Sequence, residues 1–294
     1  MSALPPRRAA VLGHPVAHSL SPLLHRAAYV ALGLDDWRYD ALDTTEEQLP
    51  DLVRSLDSSW TGLSLTMPLK QTVVPLLDHV EPLAGIVGAV NTVVVQPIGP
   101  GRPTLVGANT DVHGLVASLR EGLADGATVG SAVVLGAGAT AASTLAALAE
   151  LGCAAPTVLV RSLGRTGALQ RAAHRMGVEP RFEVLDPASV GLLARLASAD
   201  VVVSTLPSRA ADPLADVVAA PHPGTGPFSG VLLDVVYDPR PTALSAAWSS
   251  AGGVVVGGER MLLHQAAEQV RLMTGRPAPL VAMDAALQTA LLAA

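Results

Sequence analysis

The chain has 294 residues, half of them hydrophobic, and a formal net charge of −6, so it is longer than one hydrophobic core usually serves and two domains are expected. Only 15% of its residues are charged, against about 25% in an average globular protein, which fits a surface covered in part, as in a homodimer. The longest basic run is Arg7–Arg8, no apolar run reaches the roughly 18 residues of a membrane span, and Cys153 is the only cysteine, which argues against nucleic-acid binding, a membrane span, an intramolecular disulfide and a cysteine metal site.

The opening MSALPPRRAAVLGHP has basic residues with no long apolar stretch behind them, so no export signal is predicted and a cytoplasmic protein is expected. AAVLG (9–13) reads as a short buried strand. SPLLHRAAYVALG (21–33) reads as a helix with Ser21 as N-cap, Pro22 in the first turn and Gly33 at the C-terminus. WRYDALD (37–43) is a second strand, TEEQLPDLVRSL (45–56) a helix despite Pro50, and GLSLT (62–66) a third strand. Pro68 opens a helix that runs to about Leu77. NTVVVQ (91–96) and PTLVGA (103–108) flank the turn IGPGR as a hairpin, and DVHGLVASLREGL (111–123) is a helix.

DGATVGS (125–131) is a glycine-rich connector, after which strands and helices alternate. SAVVLGAG, TVLVRS, DVVVSTLP and GVLLDVVY read as strands that are apolar almost throughout, and GGVVVGG (252–258) as a last short one. Such strands predict a parallel sheet covered by helices on both faces. PSRAADPLADVVAAPHPGTGPFSG (207–230) reads as a mobile surface loop carrying a short helix. From Arg260 onward the pattern is helical, in RMLLHQAAEQVRLMTG and LVAMDAALQTALLAA.

VVLGAGATAAS (133–143) follows a strand and opens a helix, with Gly136, Gly138 and Ala141 filling the G-x-G-x-x-G/A pattern of dinucleotide sites. The first glycine serves the tight turn and the second lets a pyrophosphate approach the backbone. The small third residue lets helix and strand pack, and the helix N-terminus offers free N–H groups to phosphate. An NAD site usually carries an acid about 20 residues further on, to hold the ribose 2′-hydroxyl. Here no Asp or Glu lies between Glu150 and Glu179, while Arg161, Ser162 and Arg165 do. Guanidinium and hydroxyl groups suit a 2′-phosphate, so NADP is the expected cofactor.

Lys70 is the only lysine among 19 Lys and Arg residues. Arginine stays protonated in proteins, whereas a lysine ammonium can take part in proton transfer. Lys70 ends SLTMPLK, where Thr66 also stands, and other polar clusters sit at strand ends: Asn91 in GAVNT, Asn109 and Asp111 in GANTD, and Ser19 and Ser21 in GHPVAHSLSP. His14, His18, His25, His113 and His264 lack a matching carboxylate in sequence and read as structural or solvent-facing, and no three-ligand zinc spacing occurs.

These stretches, with VRSLGR, STLP, DVVYDPRPT and MLLHQAA, occur in the order seen in the shikimate dehydrogenase family, which the chain resembles over nearly its whole length. The family reduces 3-dehydroshikimate to shikimate with NADPH. The resemblance implies a two-domain α/β fold with a central cleft. Residues 1–110, completed by helices in 259–294, would form an N-terminal α/β substrate domain, and residues 111–258 a Rossmann-like NADP-binding domain. It also implies roles. Lys70 and Asp111 would be the catalytic pair, Lys70 as general acid and base and Asp111 as its orienting partner. Ser19 and Ser21 would hold the substrate carboxylate, with Tyr237 nearby. Thr66, Asn91 and Gln265 would bind ring hydroxyls. Gly136, Ala137, Gly138 and Ala139 would bind pyrophosphate, and Arg161, Ser162 and Arg165 would face the 2′-phosphate. Gly258 and Met261 would lie at the nicotinamide.

The sequence departs from the family pattern in four places. Ser64 stands where Asn is common, Ala139 replaces a glycine, Val160 replaces a polar residue, and Arg260 replaces the second glycine of Gly-x-Gly-Met-Leu. The small-molecule substrate is thus expected to be 3-dehydroshikimate or shikimate. A quinate/shikimate dehydrogenase using NAD and a non-catalytic binding protein for metabolites of the same pathway are the competing readings.

Overall fold

The computed structural model describes residues 6–97, 101–189, 191–220 and 226–293. The chain divides into two compact units, one of Met1–Asp111 with Leu262–Ala294 and the other of Val112–Met261. Asp111 therefore belongs to the same unit as Lys70.

The first unit is built on a six-stranded mixed sheet. Its strands are β1 (Arg7–Gly13), β2 (Trp37–Asp43), β3 (Trp60–Leu65), β4 (His79–Val80), β5 (Thr92–Gln96) and β6 (Thr104–Ala108), in the order β2-β1-β3-β5-β6-β4. β1 runs parallel to β2 and β3, whereas β5 is antiparallel to β3 and β6, as the hairpin pattern predicts. Residues 98–100 of the IGPGR turn lie outside the described residues.

Alternate residues of these strands serve two faces. On one, Leu12, Leu63, Leu65, Val93 and Leu105 form a core with Leu49 and Val53 of helix α2 (Leu49–Arg54) and with Leu69 of α3 (Leu69–Thr72). On the other, Ala9, Val11 and Tyr39 pack with Tyr29 of α1 (Ser21–Ala31) and with Met273. Met273 belongs to α11 (Gly258–Thr274), whose C-terminal part returns to this unit with α12 (Leu280–Ala293). Gly62 makes room for it, because a Cβ there would lie 2.7 Å from the Met273 side chain.

Several boundaries differ from the sequence expectation. The helix expected over 45–56 starts only at Leu49, with Pro50 in its first turn, where its missing N–H costs nothing. The helix expected from Pro68 to Leu77 breaks into α3 and a 3₁₀ turn, Val74–Leu76, because Pro75 has no N–H to continue the ladder. Leu20, not Ser21, is the N-cap of α1; Ser21 is its first helical residue, and its N–H donates to the Ser19 hydroxyl at 3.3 Å. Sequence reading did not find β4 or α4 (Pro82–Val87), each too short to show a period.

The second unit holds a six-stranded sheet that is parallel throughout. Its strands are β7 (Ala132–Leu135), β8 (Thr157–Val160), β9 (Arg181–Val184), β10 (Val201–Ser204), β11 (Val231–Asp234) and β12 (Val254–Gly257). The order is β12-β11-β10-β7-β8-β9, so the chain winds outward from β7 one way and then the other, the doubly wound arrangement of dinucleotide-binding sheets. The central strands are buried on both faces, as AVVL, VVVS and VLLD require. The crossovers include α6 (Ala139–Glu150), α7 (Gly167–Met176), α8 (Leu192–Ser198), α9 (Asp212–Ala219) and α10 (Ala243–Ser250), and α5 (Asp111–Gly122) leads into the unit. α9 is the short helix expected within 207–230, and residues 221–225 of that segment lie outside the described residues. The last helices were expected from Arg260; α11 begins two residues earlier, at Gly258. Among the described residues, no helix is long and apolar enough to cross a membrane, and no group of three His, Cys, Asp or Glu could hold a metal ion.

Candidate active site

In the first unit, strand ends and helix starts bring the polar clusters of the sequence together. Lys70 lies on α3, and its carbonyl accepts the Val90 N–H at 2.8 Å, which ties α3 to the segment before β5. Its Nζ lies 2.5 Å from Asp111 Oδ2, with the two side chains only 14% and 4% exposed. A pair so shielded from water interacts more strongly than an exposed one.

Asn91 supports the pair from behind. Its Nδ2 donates to Asp111 Oδ1 at 2.8 Å, to Thr110 Oγ1 at 2.9 Å and to Gln265 Oε1 at 3.3 Å. Its Oδ1 accepts the Thr110 N–H at 2.7 Å and the Thr92 hydroxyl at 2.9 Å. The amide is thereby fixed in one orientation, and its position is held by the Leu65 N–H, which donates to the Asn91 carbonyl at 2.7 Å. Thr66 follows β3, half-buried, with its N–H on the Leu12 carbonyl at 2.9 Å. Gln265 is buried on α11, and its Nε2 donates to the Leu262 carbonyl at 3.0 Å. Lys70, Asp111, Asn91 and Gln265 are thus joined through hydrogen bonds within one unit.

Ser19 and Ser21 stand at the start of α1. Ser21 is buried, and its carbonyl accepts the His25 Nδ1–H at 2.9 Å, so Nδ1 carries the proton of that ring. His25 is fully buried and stacks on Tyr39 at 3.9 Å, and desolvation lowers its pKa from 6.5 to about 4, against the smaller opposing effect of the Ser21 bond. It is therefore a neutral core residue, as expected. His14 departs from the expectation: its Nδ1 lies 2.6 Å from Asp43 Oδ1, a carboxylate 29 residues away that spacing did not reveal. Asp43 also accepts the Val16 N–H at 3.3 Å, so this exposed pair pins the loop before Ser19. The hydrogen bond from His14 leads the causes that hold the Asp43 carboxyl below its ordinary range.

In the second unit, the glycine turn sits between β7 and α6, at the point where the strand order reverses. Gly136 has φ +106°, and a Cβ there would lie 2.6 Å from Thr205 Oγ1, so only glycine fits. Gly138 is the N-cap of α6 in extended conformation, and a Cβ there would meet nothing within 4 Å. The turn thus leaves open space in front of a helix N-terminus, which fits the pyrophosphate of a dinucleotide. Ala137 and Ala139 flank that space half-buried, and Ala141 is buried against the sheet side. Arg161, Ser162 and Arg165 lie exposed just after β8, the strand next to β7. They fit a 2′-phosphate, with no acid among them.

Gly258 is held for a packing reason as well: a Cβ would lie 2.3 Å from the Val235 carbonyl oxygen. Met261 is buried, 7% exposed. Arg260 turns away from a backbone role and forms a two-point ion pair with Glu121 of α5, at 2.7 and 2.8 Å. Tyr237 is half-buried in the segment after β11. Asp234, which sequence reading missed, braces that segment: it accepts the Thr242 hydroxyl at 2.8 Å and the Val236 N–H at 3.3 Å. Burial dominates its shift and raises its carboxyl above the ordinary value. Arg240 and the buried Glu259, 3.3 Å apart, hold the same segment from its other end.

Sequence reading also missed Tyr39, Thr92, Thr110 and Gln269. Ser64, which stands where the family often has Asn, is buried and hydrogen-bonded between Tyr39 and Gln269. One signal was available. Gln265, Gln269 and Met273 recur every four residues and so share one stripe of α11.

Comparison with known proteins points the same way. Residues 11–93 match the shikimate dehydrogenase substrate binding domain family, and residues 258–288 the shikimate 5′-dehydrogenase C-terminal domain family. A protein of Symbiobacterium thermophilum named shikimate dehydrogenase (NADP(+)) is 37% identical over 98% of this chain and 95% of its own. The crystal structure of Mycobacterium tuberculosis shikimate dehydrogenase superposes with a TM-score of 0.83 at 41% identity, over 97% of this chain and all of that one. A Thermus thermophilus shikimate 5-dehydrogenase in complex with NADP(H) and shikimate has a TM-score of 0.77 at 35% identity, over 97% and 99% of the two chains.

Proposed function

The chain belongs to the shikimate dehydrogenase family, and from that membership we propose that it reversibly reduces 3-dehydroshikimate to shikimate with NADPH, using Lys70 and Asp111 as an acid–base pair. It is an NADP-dependent oxidoreductase. The observation that carries the assignment of the pair is the buried contact of Lys70 Nζ with Asp111 Oδ2 at 2.5 Å, braced by Asn91.

Reduction of a ketone needs a hydride at carbon and a proton at oxygen. NADPH supplies the hydride when bound. Lys70 gives the proton to the carbonyl oxygen and takes it back in the reverse direction. Asp111 directs the ammonium and accepts a hydrogen bond from a substrate hydroxyl. Thr66, Asn91 and Gln265 bind ring hydroxyls, and Ser19 and Ser21 with the start of α1 hold the carboxylate, helped by Tyr237. Gly136, Ala137, Gly138 and Ala139 receive the pyrophosphate, and Arg161, Ser162 and Arg165 the 2′-phosphate. Gly258 and Met261 border the nicotinamide. In this reading the first unit binds substrate and the second NADP. A homodimer that covers part of the sparsely charged surface, and a cytoplasmic home, complete it.

The test is a set of initial rates with shikimate and with quinate, each with NADP and with NAD. The highest kcat/KM is expected for shikimate with NADP. A strong preference for NAD would remove the role given to Arg161 and Arg165, and absence of turnover with shikimate would overturn the substrate assignment.

A further inference from the structure

The buried polar groups of the first unit form a line of hydrogen bonds that starts two strands away from β3 and ends on the partner of Lys70. The Tyr39 hydroxyl donates to Ser64 Oγ at 2.6 Å, and the Ser64 hydroxyl donates to Gln269 Oε1 at 2.8 Å. On the other side of its amide, Gln269 Nε2 donates to Thr92 Oγ1 at 3.0 Å and to the Asn91 carbonyl at 3.2 Å. The Thr92 hydroxyl donates to Asn91 Oδ1, and Asn91 Nδ2 donates to Asp111 Oδ1. Tyr39, Ser64, Thr92, Asn91, Gln269 and Asp111 are all buried.

The line has a direction. Burial raises the pKa of the Tyr39 phenol, so one end keeps its proton and donates. An ionised carboxylate at the other end only accepts. Each hydroxyl between them has one proton to give, and each amide passes the direction from its oxygen side to its nitrogen side. Turning the Gln269 amide over would set its oxygen against the Asn91 carbonyl, two acceptors with no proton between them, and Thr92 could satisfy that oxygen only by withdrawing its proton from Asn91 Oδ1. In a buried network such a fault leaves desolvated polar groups without a partner, which is strongly unfavourable.

We propose that Gln269 is a positioning residue for the reaction: through Thr92 and the Asn91 backbone it fixes the Asn91 amide that orients Asp111 against Lys70. This rests on the roles given above to Lys70 and Asp111. Gln269 does not touch the pair itself. Its placement follows from the α11 stripe, in which Gln265 meets Asn91, Gln269 meets Ser64 and Thr92, and Met273 fills the space at Gly62.

The test uses the full chain with three substitutions: Gln269→Met, which keeps the volume and removes both ends of the amide; Thr92→Val, which keeps the shape and removes the hydroxyl; and Thr92→Ser, which restores it. Initial rates with shikimate and NADP are measured beside thermal midpoints. Gln269→Met and Thr92→Val are expected to lower kcat about tenfold with the KM for NADP unchanged, and Thr92→Ser to stay within about twofold of the parent, since each of the first two breaks the line once. Normal kcat in both Gln269→Met and Thr92→Val would overturn the inference, as would a loss of rate that only follows the unfolded fraction. Should Gln269→Met not fold, the Thr92 pair decides alone: equal rates for Val and Ser overturn the inference. A parent protein with no turnover on shikimate would overturn the underlying reading as well, and is told apart by that control.

Discussion

Replacing Lys70 by arginine separates its charge from its proton. Lys70→Ala is the obvious deletion, but it would leave Asp111, 4% exposed, with a buried carboxylate and no cation. Breaking a buried pair from one side costs about 3–5 kcal/mol, a large part of the 5–15 kcal/mol that holds an ordinary domain together. Lost activity in that variant would mix lost chemistry with lost fold. Lys70→Arg keeps a cation beside Asp111, whose other oxygen stays on Asn91 Nδ2. The longer side chain has to repack, at a cost of about 1–2 kcal/mol. The guanidinium, however, holds its proton. If Lys70 is the general acid and base, kcat should fall about 10²–10⁴-fold, equal to about 3–5 kcal/mol of barrier. The assay follows NADPH absorbance at saturating shikimate, with the thermal midpoint recorded in parallel. A Lys70→Arg protein that turns over within about twofold of the parent would refute the proton-transfer role and leave Lys70 as an electrostatic partner only.

Three further outcomes follow from the structure. His25 has a folded pKa of about 4 against 6.5 unfolded, so the unfolded chain binds the extra proton first as pH falls. Its contribution is complete above about pH 6.5, is lost between about 6.5 and 4, and amounts to about 3 kcal/mol in full. Urea titrations across that window should show a smaller loss of stability for His25→Phe than for the parent, and parallel curves would contradict it. In the glycine turn, Gly136→Ala should destabilise the protein by about 1–3 kcal/mol, because φ +106° and Thr205 both oppose a Cβ. Gly138→Ala should leave the thermal midpoint unchanged and raise the KM for NADP at least several-fold, since a Cβ there meets nothing within 4 Å in the chain but would crowd the proposed pyrophosphate; an unchanged KM would count against pyrophosphate there.

The strands of the second sheet were legible because runs such as VVVS and VLLD can only be buried on both faces. β9, RFEV, was not, since an edge strand with exposed charges looks like a loop. α7, GALQRAAHRM, and α10, ALSAAWSS, carry too few large apolar residues to mark a helical face in sequence. The site divides in the same way. Lys70, Thr66, Asn91 and Asp111 stood out as polar residues at strand ends. Ser64 and Gln269 did not, because their meaning lies in a contact across 205 residues of chain. His14 shows the same limit at shorter range: its partner, Asp43, lies on the neighbouring strand.

The Gln265–Gln269–Met273 stripe has a further consequence for how this protein comes to exist. The first unit is written in two pieces, and the ribosome delivers the second only after the whole of the other unit has been made. Until α11 and α12 emerge, Leu24 and Ala28 on α1 lack the Leu263, Ala266, Val270, Met283 and Leu287 that complete their core, and Asn91 lacks Gln265 and Gln269. A nascent chain stalled near residue 260 would therefore expose the apolar face of α1 and leave Asn91 without two of its partners, prone to stick to whatever is nearby. Completion of the site is tied to the synthesis of α11 and α12, and a product terminated before them should be a client of chaperones rather than a weak enzyme.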